Sequence, residues 1–201
     1  MTVNSNVLAN AKTPTGVLDF SKFDTSLGTL QSVKIDLYSD FSTIISVENT
    51  SRSSPATILG TATGHLTLST PSTGALATLT STASHSFSET IYDSHNDFAG
   101  TSGGVYASGP SLFSSTHTYS DAATLALFSG AGLLHTNLAG SATALVQGIS
   151  GNTRSLVISS FDAYSHVTYN YISAVPEPET YAMLLGGLGL LGFIARRRRT
   201  A

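Results

Sequence analysis

The chain has 201 residues, which suits one domain and a tail. Charged residues make up 10 %, and Cys and Trp are both absent, which excludes disulfides, a thiolate nucleophile and any cysteine metal site. The net charge of −3 hides an asymmetry: before Val175 the chain carries 5 basic and 10 acidic residues, a net of −5, while four arginines crowd the C-terminus. So acidic a body lacks the basic patch that phosphates require, and nucleic acid is not an expected partner.

In chain order, residues 1–15 form an N-terminal segment. Met1–Ala11 has neither a basic start nor a continuous apolar stretch, so no secretory signal peptide is visible there. Gly16–Lys22 alternates as a short strand after Pro14, and Phe23–Leu30 is a compact, turn-bearing loop. Val33, Ile35 and Leu37 then alternate with Lys34, Asp36 and Tyr38, which predicts a strand with one buried face and one wet face. A second run, Thr43–Glu48, can pair with it as a hairpin. Thr57–Thr70 and Leu76–Phe87 are long, alternating and rich in Thr and Ser, bounded by Pro55, Pro71 and Gly74.

Ser94–Gly109 reads as loop, broken by Gly100, Gly103, Gly104 and Gly109. Ser111–Ser120 resumes the strand pattern. Asp121–Phe128 is ambiguous, because Asp121 suits a helix cap while Leu125 and Leu127 alternate; we read it as an approach to a short strand. Ser141–Gly148, Ser155–Ser160 and Ala163–Ile172 complete the set, with Val167, Tyr169 and Tyr171 on the opposite side from Tyr164, His166 and Thr168. The expected fold is all-β: an antiparallel β-sandwich of about ten strands over residues 16–172, followed by one C-terminal hydrophobic α-helix.

The body resembles the choice-of-anchor E domain, a family of bacterial surface domains. The residues that carry the resemblance are Phe23–Leu30 leading into the Val33–Leu37 strand, Val47-Glu48-Asn49, Leu127–Gly132 and Thr168–Tyr171. The resemblance implies no activity at any residue.

Constellations that suggest chemistry are few. Gly100-Thr101-Ser102-Gly103-Gly104 fits G-x-S-x-G, but an elbow serine needs a helix after it, and Val105–Pro110 is not one. Asp93, His95 and Asp97 gather possible ligands in one loop, yet His95 and Phe98 stand where a calcium loop has an oxygen ligand and its turn glycine. They are the weak metal candidates of a chain for which no metal, cofactor or catalytic residue is expected. The other histidines (His65, His85, His117, His135 and His166) stand singly in strands. Tyr38, Tyr92, Tyr106, Tyr119, Tyr164, Tyr169 and Tyr171 offer aromatic faces to sugar rings, so a carbohydrate-binding module that engages exopolysaccharide is the alternative reading.

The last segment, 173–201, is the most informative. Val175, Pro176, Glu177 and Pro178 cannot continue a strand or sit inside a helix, since proline fixes φ and lacks an N–H. An uncharged apolar run from Tyr181 to Ala195 follows, built on Leu184, Leu185, Gly186, Gly187, Leu188, Leu190, Leu191, Phe193 and Ile194. As a helix, its fifteen positions span roughly 22 Å against the ~30 Å hydrocarbon core, so a crossing is thin or tilted. Gly187–Gly192 also fits G-x-G-x-x-G, but no strand precedes it, and glycines suit close helix packing in a membrane. Arg196, Arg197, Arg198 and Arg199 close the run, and such a cluster prefers the cytoplasmic side, which places the body across the membrane.

This tripartite tail resembles the PEP-CTERM sorting signal of Gram-negative bacteria. The resemblance implies recognition by an exosortase, a membrane-embedded transpeptidase-like enzyme that cuts near Pro176-Glu177-Pro178. It implies a transient single span of the inner membrane, then delivery of the body to the cell surface, extracellular matrix or biofilm, and a non-enzymatic role is the expectation for that body. Proteins with this tail carry a leader, so one is expected upstream of Met1.

Overall fold

A computed structural model describes residues 1–11, 15–148, 152–174, 183–188 and 190. Its early strands are β1 (Thr2–Asn4), β2 (Leu8–Ala11), β3 (Thr15–Ser21) and β4 (Gly28–Asn49). The hairpin β5 (Ala56–Thr70) and β6 (Gly74–Glu89) follows, then β7 (Gly103–Tyr119) and the helix α1 (Ala122–Phe128). The chain then forms β8 (Leu133–Gly148) and β9 (Thr153–Ser173). Two antiparallel sheets result. One runs β1-β9-β4-β7, with β2 also paired to β9, and the other runs β3-β8-β5-β6. The molecule is therefore mostly β, as the alternation predicts.

The inward faces of the two sheets share a main core and a smaller cluster of Ile45, Val47, Ala56, Ile58 and Phe87. Val33, Ile35, Leu37 and Phe41 of β4 and Phe161, Val167 and Tyr169 of β9 meet Leu18 and Phe20 of β3, Leu66 and Leu68 of β5, and Leu134 and Leu138 of β8. Size complementarity sets the fit. On its inward side β5 is small at Gly60, Ala62 and Gly64, where the first sheet is large. A Cβ at Gly64 would lie 2.3 Å from the Phe161 ring, and one at Gly60 would lie 2.5 Å from Ile45 Cγ2. Close packing of this kind makes even one added methyl costly.

Four local expectations are corrected. Val33–Leu37 and Thr43–Glu48 are not a hairpin but parts of one 22-residue strand. Tyr38–Ser42 holds no Gly or Pro to break the strand, and Phe41 keeps the alternation going by burying its ring in the core. Ser155–Ser160 and Ala163–Ile172 likewise merge into the 21-residue β9, which leaves nine strands among the described residues.

Asp121–Phe128 is helical rather than a strand approach. The Asp121 carboxylate accepts a bond from Thr124 N at 2.9 Å, and the turn it caps buries Phe128 against the core. Lastly, Gly103–Gly109 is not loop but the start of β7. Gly103 is bare because a Cβ there would sit 2.5 Å from both Ala99 N and a Glu48 carboxylate oxygen. Pro110 is accommodated because β7 is an edge strand with a register shift at this point, where Phe41 faces Ser111 but Thr43 faces Ser108.

Candidate functional site

The sorting motif Val175–Pro178 lies outside the described residues, as do Tyr181, Leu191, Phe193, Ile194 and Arg196–Arg199. Residues 183–188 are helical, with Leu184, Leu185 and Leu188 exposed. Among the described residues no helix is long and apolar enough to cross a membrane, and most of the expected span falls outside them.

The point where the body hands the chain to the tail is well defined. The last rung of β9 pairs Ser173 with Gly28, and Ala174 N then donates to Leu27 O at 3.0 Å. Gly28 has φ +148, and a Cβ on it would fall 1.9 Å from Ile172 O and 2.9 Å from Ala174 N. The turn just before it, Thr25–Leu27, is capped by the Asp24 carboxylate on Ser26 N at 2.9 Å. That bond holds the Asp24 carboxyl below its usual range.

Phe23 ties this turn to its neighbours. Its carbonyl accepts from Gly130 N at 3.0 Å, and its ring lies 5.0 Å from that of Tyr171. Beside it a shallow depression of about 560 Å³ is lined by Ser21, Lys22, Asp24 and Thr25 on one side and Gly130–Leu133 on the other.

The opposite end of the body holds the residues that the G-x-S-x-G string and the Asp/His loop drew attention to. Residues 90–102 fold over the outer face of the first sheet and cover Glu48, which is fully buried. Glu48 Oε2 accepts from Phe98 N at 2.8 Å, and Oε1 accepts from Ser102 Oγ at 2.6 Å. Asn49 completes the seam, its amide donating to Thr90 O at 2.7 Å and Ser54 O at 2.9 Å. Arg154, opposite Glu48 in register, lies over the Phe98 ring at 5.7 Å. Glu89 stands nearby, and its carboxyl is pushed up by desolvation and by the Glu48 charge.

Ser102 therefore lacks the geometry of a nucleophile. It is fully buried, and its hydroxyl proton points at a carboxylate that anchors the loop. Asp93 and Asp97 serve the same loop: Asp93 Oδ1 accepts from His95 N at 2.9 Å and Asp97 Oδ1 from Ala99 N at 3.0 Å. The Asp93 carboxyl is lowered chiefly by that amide of His95. Among the described residues no three His, Asp or Glu side chains gather as a metal site would need. Glu48 itself escapes sequence reasoning, because nothing in Val47-Glu48-Asn49 says that a distant loop will bury an outward-facing position.

The tyrosines divide by location. Tyr169 is buried in the core with its hydroxyl donating to Ser21 O, and burial pushes its pKa far up. Tyr119 donates to Leu76 O across the two sheets, and the Tyr106 ring stacks on His85 at 4.3 Å. On the outer face of the first sheet Tyr38 and Tyr164 are half-buried, stacked at 5.0 Å with His166 beside them. The histidines stay apart: His135 pairs with Asp19 at 2.7 Å, and His65 bonds Thr80 at 3.2 Å.

No curated protein matches the chain. Among solved structures it is similar to a chain of infectious bursal disease virus, Gx strain, at 14 % identity over 89 % of this chain and 48 % of that one, with a TM-score of 0.14. The corresponding Gt-strain structure gives 13 % identity, 93 % and 46 % coverage and a TM-score of 0.13. The chain thus spans about half the length of these viral chains (48 % and 46 %), and likeness this low carries no argument about fold or role. Residues 174–199 match the PEP-CTERM protein-sorting motif, so the chain carries the mark of an exported protein sorted by an exosortase.

Proposed function

We propose that this chain is a non-enzymatic surface or extracellular-matrix protein, delivered by its tail and released or re-anchored when an exosortase cuts near Pro176-Glu177-Pro178. The body is read as a β-sandwich of the choice-of-anchor E kind, held in the periplasm by the span from Tyr181 to Ala195 until processing. The observation that carries this is the motif match at 174–199, which begins as the last β-rung ends. A structural role suits a body whose one G-x-S-x-G serine is locked into a loop anchor. The test is a Pro176→Ala/Pro178→Ala double variant followed by cell fractionation and mass spectrometry of the product. Loss of processing is expected. Protein recovered outside the cell with Arg196–Arg199 intact would overturn the reading.

A second reading, a module that binds exopolysaccharide, draws on the Tyr38–Tyr164 pair with His166 on the outer face of the first sheet. Sugar rings pack on aromatic faces by apolar contact. These two rings, however, turn their faces to each other. Calorimetric titration of neutral and acidic polysaccharides decides it, with Tyr164→Ala as the comparison. Absence of heat at millimolar ligand removes this alternative.

A further inference from the structure

We propose that the tail end of the body, formed by the Phe23–Gly28 and Gly130–Leu133 turns, is the surface that the membrane-embedded processing enzyme rests against when it engages the sorting motif. The inference builds on the sorting reading above. It follows from the absence of a spacer. Ala174 is still bonded to Leu27 O at 3.0 Å, and Val175 is the next residue. Gly28 makes the attachment tight, since the β9 backbone passes where a Cβ would be.

The reach of the chain then limits what fits between enzyme and body. Pro178 is four residues beyond Ala174, so it lies at most ~14 Å away even when fully extended. A single helix with its side chains is already about 10–12 Å across. An enzyme wider than one helix cannot close on the motif without meeting the body.

The surface at that point suits a protein rim. Leu27, Leu133 and Ile172 are 42 %, 51 % and 64 % exposed, with uncharged Thr25, Ser26 and Ala131 around them. The depression between the two turns holds one cation and one anion, Lys22 and Asp24. Anionic headgroups would call for a cluster of basic residues, which this end lacks. A polar protein surface with apolar contacts is the better match.

The test compares processing rates of the full chain in cells that express the enzyme, followed by pulse–chase and the shift in mass. Thr25→Arg/Ala131→Arg places two bulky charges on the surface, and Ser53→Arg/Thr57→Arg places two at the far end. The first pair is expected to slow processing by up to about a hundredfold, the scale at which displacing a reacting group slows an enzyme, and the second to leave it unchanged. An eight-residue Gly/Ser spacer between Ala174 and Val175 adds roughly 15 Å of reach and is expected to restore the first pair. Circular dichroism of each variant verifies the fold, and the spacer in the otherwise natural chain is the second variant, expected to be processed at least as fast as the parent.

Wild-type speed in the Thr25/Ala131 pair would overturn the inference, as would slowing that the spacer does not relieve. The first of these results is also what a lipid-facing surface would give, since added arginines favour anionic membranes. The parent reading fails separately: Pro176→Ala/Pro178→Ala would then be processed like wild type, whatever the arginine pairs do.

Discussion

Strand β4 runs the length of the first sheet, and its two ends are finished in opposite ways. At Gly28 the backbone itself makes the closure. A glycine lets β9 pass at a distance that no side chain allows, and the neighbouring turn adds one hydrogen bond, Leu27 O accepting from Ala174 N. At Glu48, roughly 70 Å away along the strand, a side chain makes it: one buried carboxylate gathers Phe98 N and Ser102 Oγ and holds a long loop over the sheet. The first device holds the chain close to a point of exit. The second clamps a loop over the outer face of the sheet. The difference teaches that a string resembling a catalytic motif is held here as a loop anchor, whereas the residues that match the sorting motif follow directly on an unremarkable turn.

Breaking the carboxylate anchor has the largest expected effect. Glu48→Leu leaves a buried amide and a buried hydroxyl without their acceptor, which costs about 3 kcal/mol, or a fall in Tm of about 6–12 °C. Limited proteolysis should then cut within residues 90–102. Unchanged melting and an uncut loop would mean that Asn49 and the backbone seam hold it unaided.

Gly28→Ala tests the other end. The added methyl must displace Ile172 O, at a cost of about 2 kcal/mol, and hydrogen exchange of the Ile172 and Ala174 amides should speed up while that of β5 does not. If β9 exchange stays slow, the strand end is held by more than this approach.

A smaller effect belongs to the tail end itself, where Phe128 O at the close of α1 accepts from Phe23 N at 2.8 Å. Asp121→Ala removes the cap of α1 and should cost about 1 kcal/mol, read as a modest drop in Tm with residues 90–102 still resistant to proteolysis.

The smallest effect sharpens the electrostatics of the Glu48 end. Glu89 binds its proton more tightly in the folded body than in the unfolded chain, so its ionised form weakens the fold at neutral pH. Acidification through its raised pKa relieves that penalty. Glu89→Gln should therefore melt slightly above wild type at pH 7, with the gap closing as the pH falls toward the ordinary value of 4.5. A gap that widens on acidification would reverse the sign.

Much of the fold is legible in alternation alone. Val33, Ile35 and Leu37 are buried, as are Val167 and Tyr169, while Tyr164, His166 and Thr168 face the other way. Strand ends are harder to read, because glycine has two meanings. In Gly100–Gly109 it reads as a turn former, which holds for Gly100 at φ +72, whereas Gly103 and Gly104 are bare so that Glu48 and Glu89 can approach. Helix α1 was missed for a related reason: seven residues are too few for periodicity to separate a helical turn from a strand, and only the Asp121 cap pointed the right way.

The sequence by itself determined the tail: proline-flanked glutamate, apolar run and arginines are consecutive, and their meaning depends on order and on solvent preference, not on contacts. It also determined the β character, since a period of two needs only neighbours. Which outward residue became buried, which carboxylate Ser102 bonds and how near Ala174 stands to the Leu27 turn were decided by tertiary structure. Those outcomes depend on pairs far apart in the chain, such as Glu48 with Ser102 and Leu27 with Ala174, and no local pattern encodes a distance between strands that meet only after folding.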